Sequence, residues 1–154
     1  MRNNLWPDFK NIDENSPKVI LEEQARYLSK VTSNILYGEV SKPARFNISH
    51  FSRNDLPNST LSIGSIPPIN PNNINYSLYI VAPRLLDYRY ELLSISYDPV
   101  AYYPLMAKDS FESPIKTLYS ESDFISYLSS LFNNQQVSRV ISKLLAQSRE
   151  KKSF

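Results

Sequence analysis

Residues 78–97 have the sequence LYIVAPRLLDYRYELLSISY, and this stretch decides the fold class. Leu78–Ala82 and Tyr88–Tyr97 are both rich in β-branched and aromatic residues and show the period of two that is typical of strands. The residues between them, Pro83–Asp87, suit the connection of an antiparallel hairpin. The sequence therefore predicts a β-hairpin here, which ends at Asp98-Pro99.

Shorter strand patterns lie on both sides of this hairpin. They fall at Leu36–Ser41, Arg45–His50, Tyr102–Lys108 and Ile115–Tyr119. Pro43 and Pro104 mark strands that belong at a sheet edge, where assembly with another chain is feasible. Residues 52–75 are rich in Ser, Asn and Pro, and they contain either a brief strand at 60–66 or one long loop.

Helical patterns flank the strands. Ser16-Pro17 is a favoured helix start, and an apolar stripe that includes Tyr27 and Val31 predicts a surface helix over residues 17–33 with that stripe buried. Ser120 and Asp123 have capping-box spacing before a second amphipathic segment. Asn134 then caps a third segment, so the two C-terminal helices should form an antiparallel hairpin on the sheet.

Strands grouped between helices predict an α+β fold. We expect an antiparallel sheet of about five strands, packed by an N-terminal helix and a C-terminal helical hairpin. The chain divides into an irregular N-terminal arm at 1–15, a single α+β domain at 16–148 that includes the loop region 52–75, and a basic tail at 149–154.

Composition excludes several kinds of site. The chain has 154 residues with no cysteine, one histidine and two glycines. These counts exclude a disulfide scaffold, a thiol nucleophile, a Cys-based or multi-His metal site, and a glycine-rich phosphate loop. We expect neither a metal nor a cofactor, and we interpret His50 as a half-buried strand residue rather than a catalytic base.

The charge balance argues against tight nucleic-acid binding. There are 17 basic and 15 acidic residues, a net charge of +2, whereas duplex binding needs a concentrated basic face. No signal peptide or apolar membrane-spanning run is recognisable, so we expect a cytoplasmic protein. High use of Asn, Ile, Lys, Ser and Tyr fits an AT-rich bacterial or mobile-element genome.

Two sets of residues are candidates for binding. Arg84 and Arg89 could ring a pocket at the end of the hairpin and, with Lys108, hold a nucleotide or another anion. Trp6 either packs onto the domain or serves as a partner hot spot. Tyr102 and Tyr103 decorate a loop that is our best candidate for a contact surface, in a chain with 11 tyrosines.

No residue constellation assigns an enzyme activity. The preferred hypothesis is a non-catalytic binding protein that acts through a protein partner or self-association, as an inhibitor, immunity or accessory factor would. One alternative is a small-ligand binding protein that takes a nucleotide or anion. A third is a metal-independent nuclease that uses Arg, Lys and Tyr side chains.

Overall fold

The structure is a computed structural model that describes residues 2–10, 14–43, 72–111 and 113–150. In chain order its elements are α1 (Pro17–Val31), β1 (Tyr37–Ser41), β2 (Ile74–Ala82), β3 (Tyr88–Tyr97), β4 (Leu105–Asp109), β5 (Lys116–Leu118), α2 (Glu121–Phe132) and α3 (Gln135–Glu150). A short 3-10 turn, Pro83–Leu85, joins β2 to β3.

The strands of the described chain form one antiparallel sheet in the order β1-β2-β3-β4-β5. The α+β fold with an antiparallel sheet is thus confirmed, as is the hairpin of β2 and β3 at its centre. An irregularity after Leu78 shifts the register of this hairpin. The predicted strand Arg45–His50 and the predicted brief strand at 60–66 lie outside the described residues.

The core lies between one face of the sheet and the three helices. Leu78 and Ile80 of β2 join a single apolar cluster with residues from every helix, including Leu21, Phe124 and Val137. The opposite face of the sheet is polar by comparison. There the hydroxyl oxygens of Ser77 and Ser94 lie 2.6 Å apart and are buried. That face of β2 is buried as well, and it carries the apolar residues Tyr79 and Val81 beside Ser77.

The predicted helix caps are present. The Ser16 hydroxyl accepts a hydrogen bond from Val19 N at 3.3 Å, and the Ser120 hydroxyl accepts one from Asp123 N at 3.1 Å. Asn134 Oδ1 accepts from Gln136 N at 2.7 Å at the start of α3. Each cap satisfies an amide that has no partner within its helix.

Some predicted boundaries are displaced. Helix α1 ends at Val31 rather than at residue 33, because Ser33 and Asn34 adopt left-handed backbone angles that stop it. Strand β2 begins at Ile74, so the last residues of the predicted loop 52–75 are strand. Helix α3 runs to Glu150, which puts Arg149 in its last turn instead of in a tail. None of the described helices could span a membrane.

Candidate functional site

An apolar cleft lies between α1 and α3, with the central strands as its floor. Its volume is about 180 Å³. The described residues that line it come from α1, the sheet and the C-terminal helices: Gln24, Ala25, Tyr27, Leu28 and Val31 of α1; Leu78, Ile80 and Leu92 of the sheet; and Phe132, Val137 and Ile141 of α2 and α3. The Gln24 amide and the Tyr27 hydroxyl are the polar groups among these side chains.

At one side of the cleft, α1 packs closely against β1. Gly38 of β1 faces α1, and a Cβ there would lie only 2.6 Å from the Cα of Ala25. The glycine thus permits a close approach of helix and strand at this point. Helix α1 packs mainly on β1, while α2 contacts β5 and α3 contacts the 3-10 turn. Leu78, Ile80 and Leu92, which form the floor of the cleft, are themselves buried.

The prediction that the whole apolar stripe of α1 is buried is wrong at its C-terminal end. Ile20, Leu21 and Ala25 are buried, but Val31 is 78% exposed and Tyr27 is also exposed. Both line the cleft, where no described helix covers them. The apolar stripe of α1 extends beyond the part of the helix that is buried against the sheet. Its exposed residues Tyr27 and Val31 form one lip of the cleft.

A second candidate site is the polar face of the sheet, where Arg89 makes several contacts. Its Nη2 donates to Glu39 Oε1 at 2.8 Å and to Ser41 Oγ at 3.1 Å. Its guanidinium carbon lies 4.1 Å from the centre of the Tyr79 ring. The Tyr79 hydroxyl lies 3.1 Å from a carboxylate oxygen of Glu91. An anion that binds Arg89 must compete with two neighbouring carboxylates, which weakens the attraction.

The three cations predicted to hold an anion are not gathered together. The register puts Lys108 opposite Ser94, on the same sheet face as Arg89 but roughly 15 Å further along the strands. Arg84 lies in the 3-10 turn, where its Nη1 is buried without a hydrogen-bond partner among the described residues. No described contact joins Arg84 to Arg89. Their role in ligand binding stays a prediction.

The tyrosines of the predicted contact loop are turned partly inward. Tyr102 is half-buried and packs edge-on against Tyr97, with ring centres 6.0 Å apart. Tyr103 is half-buried too, and burial, with the nearby Glu121 charge, raises its pKa to about 12. Val100 of this loop is more exposed than either tyrosine, at 92% exposure. A role for Tyr102 and Tyr103 in partner binding stays a prediction.

Trp6 does not pack onto the domain, so the expectation that it does is wrong. Its side chain is 76% exposed, and its neighbours Leu5 and Phe9 are exposed as well. Trp6 N donates to Asn4 Oδ1 at 3.1 Å, a local turn that involves only the arm itself. The alternative interpretation of Trp6 as a partner hot spot stays open.

Within the described ranges, no three acidic or histidine side chains come together to hold a metal ion. Comparison of the chain with known protein families, curated proteins and solved structures finds no match.

Sequence reasoning missed the cleft. One signal was visible: the apolar stripe of α1 continues to Val31, close to the end of the helix. The distance between α1 and α3 could not be predicted from the sequence, because it depends on where each helix contacts the sheet. Gly38 was a second sign, since a glycine in a strand often marks a close approach of another backbone.

Proposed function

We propose that this chain is a non-catalytic binding protein that accepts an apolar side chain of a protein partner in the cleft between α1 and α3. The observation that carries the proposal is an open, almost wholly apolar cleft with Tyr27 and Val31 exposed at its lip. Exposed apolar surface of this kind often marks an interaction site.

The size of the cleft favours one ring or branched aliphatic group. At about 180 Å³ it is somewhat larger than a cavity of about 150 Å³ that holds benzene. Burial of one aromatic side chain removes about 150–250 Å² from water. At ~25 cal/mol per Å² this contributes ~4–6 kcal/mol, before the cost of association is subtracted.

The chemistry of the lining favours an uncharged occupant. A charged group in the cleft would lose its hydration and meet only the Gln24 amide and the Tyr27 hydroxyl as polar partners. Neither of these is a typical general base at neutral pH, so the cleft offers little for acid–base catalysis. The cleft can therefore bind a group through its shape and through burial of apolar surface.

The proposal is tested by thermal unfolding with small ring compounds that stand in for the partner's side chain. We expect toluene and indole to raise the melting temperature, because they bind the folded state alone. At ten times the dissociation constant the rise should be about 3–6 °C for a domain of this size. ADP, which represents the nucleotide alternative, should give no comparable rise.

A matched pair of variants locates the effect. Val31→Lys puts a charge at the lip of the cleft and should weaken the response to toluene and indole. Val100→Lys makes the same change at an exposed valine outside the cleft and should leave the response intact. A rise with ADP and none with toluene or indole would contradict the proposal and support the anion-binding alternative.

A further inference from the structure

We propose that Gln24 selects the occupant of the cleft, an aromatic side chain that carries one polar hydrogen, either the N–H of an indole or the O–H of a phenol. This inference rests on the proposed function, because it names the chemical class of the side chain that the cleft accepts. The partner would then insert a tryptophan or a tyrosine. These two residue types are also enriched among the side chains that dominate binding at protein interfaces.

Gln24 interrupts the apolar face of α1 at a position where a leucine would complete it. Ile20, one turn before it, is buried, and Leu28, one turn after it, packs against the core. Glutamine and leucine have similar helix propensities, so the helix itself gains nothing from the amide. A polar residue that breaks the local pattern in this way is expected where a site has to be built.

The amide of Gln24 is available to an incoming group. The side chain is half-buried and lines the cleft, and no described residue forms a hydrogen bond with it. The buried side-chain atoms that lack a partner in the described chain do not include those of Gln24, so its amide is open to the cleft or to water. The amide carbonyl can accept a hydrogen bond from a ring N–H or O–H.

The volume of the cleft suits one ring with its polar group. At about 180 Å³ it slightly exceeds a cavity of about 150 Å³ that holds benzene. A phenol fits this volume, and an indole could extend its second ring to the open mouth. The floor consists of Leu78, Ile80 and Leu92, so among the lining side chains the polar hydrogen of the ring can be satisfied only by Gln24 or Tyr27.

Tyr27 is the less suitable of these two partners. Its ring is 53% exposed, and Lys30 Nζ lies 5.3 Å from the ring centre. A hydrogen bond to an exposed hydroxyl competes fully with water and contributes little. The half-buried amide of Gln24 lies in a less polar environment, where a hydrogen bond is electrostatically stronger. We therefore assign the selection to Gln24.

The cost of burying an unpaired N–H or O–H explains the selection. A ring that carries such a group loses its hydrogen bond to water on entering an apolar cleft, and the Gln24 carbonyl replaces that bond. A hydrocarbon ring of the same shape gains nothing from the amide. Loss of the amide should therefore weaken binding of the polar ring on the order of tenfold and leave the hydrocarbon unchanged or more tightly bound.

The experiment titrates the full chain with two matched pairs of probes and measures the dissociation constants by calorimetry. Indole is compared with indene, which has a methylene group in place of the N–H, and para-cresol with para-xylene, which has a methyl group in place of the O–H. For each pair we take the dissociation constant of the hydrocarbon divided by that of the polar ring. We expect this ratio to fall on the order of tenfold in Gln24→Met.

Three further variants make the result specific. Gln24→Leu is a second apolar replacement, so a folding defect in one variant does not decide the outcome. Gln147→Met makes the matched change at an exposed glutamine of α3 outside the cleft and should leave the ratio unchanged. Tyr27→Phe removes only the other hydroxyl and should also leave it unchanged. A larger fall for the indole pair assigns a tryptophan as occupant, and a larger fall for the cresol pair assigns a tyrosine.

Two outcomes would overturn this inference while the proposed function stands. One is binding of all four probes with the same ratio in the wild type, Gln24→Met and Gln24→Leu. The other is a ratio that falls in Tyr27→Phe and not in the Gln24 variants, which would assign the selection to the Tyr27 hydroxyl. Failure of all four probes to bind the wild type would overturn the proposed function together with this inference.

Discussion

At the scale of single residues, Gly38 sets how closely α1 approaches the sheet. A Cβ at this position would lie 2.6 Å from the Cα of Ala25, a backbone atom that cannot move without shifting the helix. We expect Gly38→Ala to lower the free energy of unfolding by about 1–3 kcal/mol, the usual cost of overpacking.

Urea unfolding measures this loss. Ser41→Ala, on the other face of the same strand, is the matched control; it removes one exposed hydrogen bond to Arg89 and should cost ~1 kcal/mol or less. If Gly38→Ala were as stable as the wild type, the close contact between β1 and α1, and with it the placement of the cleft, would be wrong.

Tyr103 makes stability depend on pH in the alkaline range. Burial raises its pKa to about 12, above the value of 10.0 expected in the unfolded chain. The unfolded state therefore loses this proton first, so the contribution of Tyr103 is complete below pH 10 and is lost as pH rises towards 12. We expect the free energy of unfolding to fall over this window, and to fall less in Tyr103→Phe.

The measurement is urea unfolding at a series of pH values between 8 and about 12. Tyr119→Phe, at an exposed ring, serves as the control and should follow the wild type. An equal fall in Tyr103→Phe and wild type would show that Tyr103 is not buried in the folded state. At neutral pH, Tyr103→Phe should be at least as stable as the wild type, since the hydroxyl finds no partner among the described residues.

At the scale of elements, the start of α2 depends on a reciprocal pair of bonds. The Ser120 hydroxyl accepts from Asp123 N, while Asp123 Oδ2 accepts from Tyr119 N at 3.3 Å. We expect Ser120→Ala to lower the free energy of unfolding by about 1 kcal/mol, the typical value of an N-cap. Ser122→Ala, in the exposed first turn of the same helix, should leave stability unchanged or slightly higher. Equal effects of the two changes would contradict the cap.

The elements with strong local patterns could be predicted from sequence. The β2–β3 hairpin has alternating strands and a short connection, and the three helix starts have capping residues. Boundaries that depend on backbone angles, such as the end of α1 at Ser33 and Asn34, could not be predicted because those residue types also occur inside helices.

At the scale of the whole molecule, the candidate site could not be predicted from any single pattern. The cleft is lined by residues of α1, the sheet and the C-terminal helices, and each helix shows the same amphipathic pattern whether its neighbour is near or far. The contacts of Arg89 with Glu39 and Tyr79 likewise join residues that are distant in sequence. Trp6 was predicted either to pack onto the domain or to serve as a partner hot spot, and the structure leaves it exposed.

The central claim is that the cleft between α1 and α3 binds an apolar group, and a methyl NMR titration with toluene tests it most directly. We expect shifts that saturate and that concentrate on the methyl groups of Leu28, Val31, Ile80 and Ile141, with no change at Val100 and Leu86 outside the cleft. Absence of shifts at these four residues, or equal shifts at Val100 and Leu86, would contradict the claim.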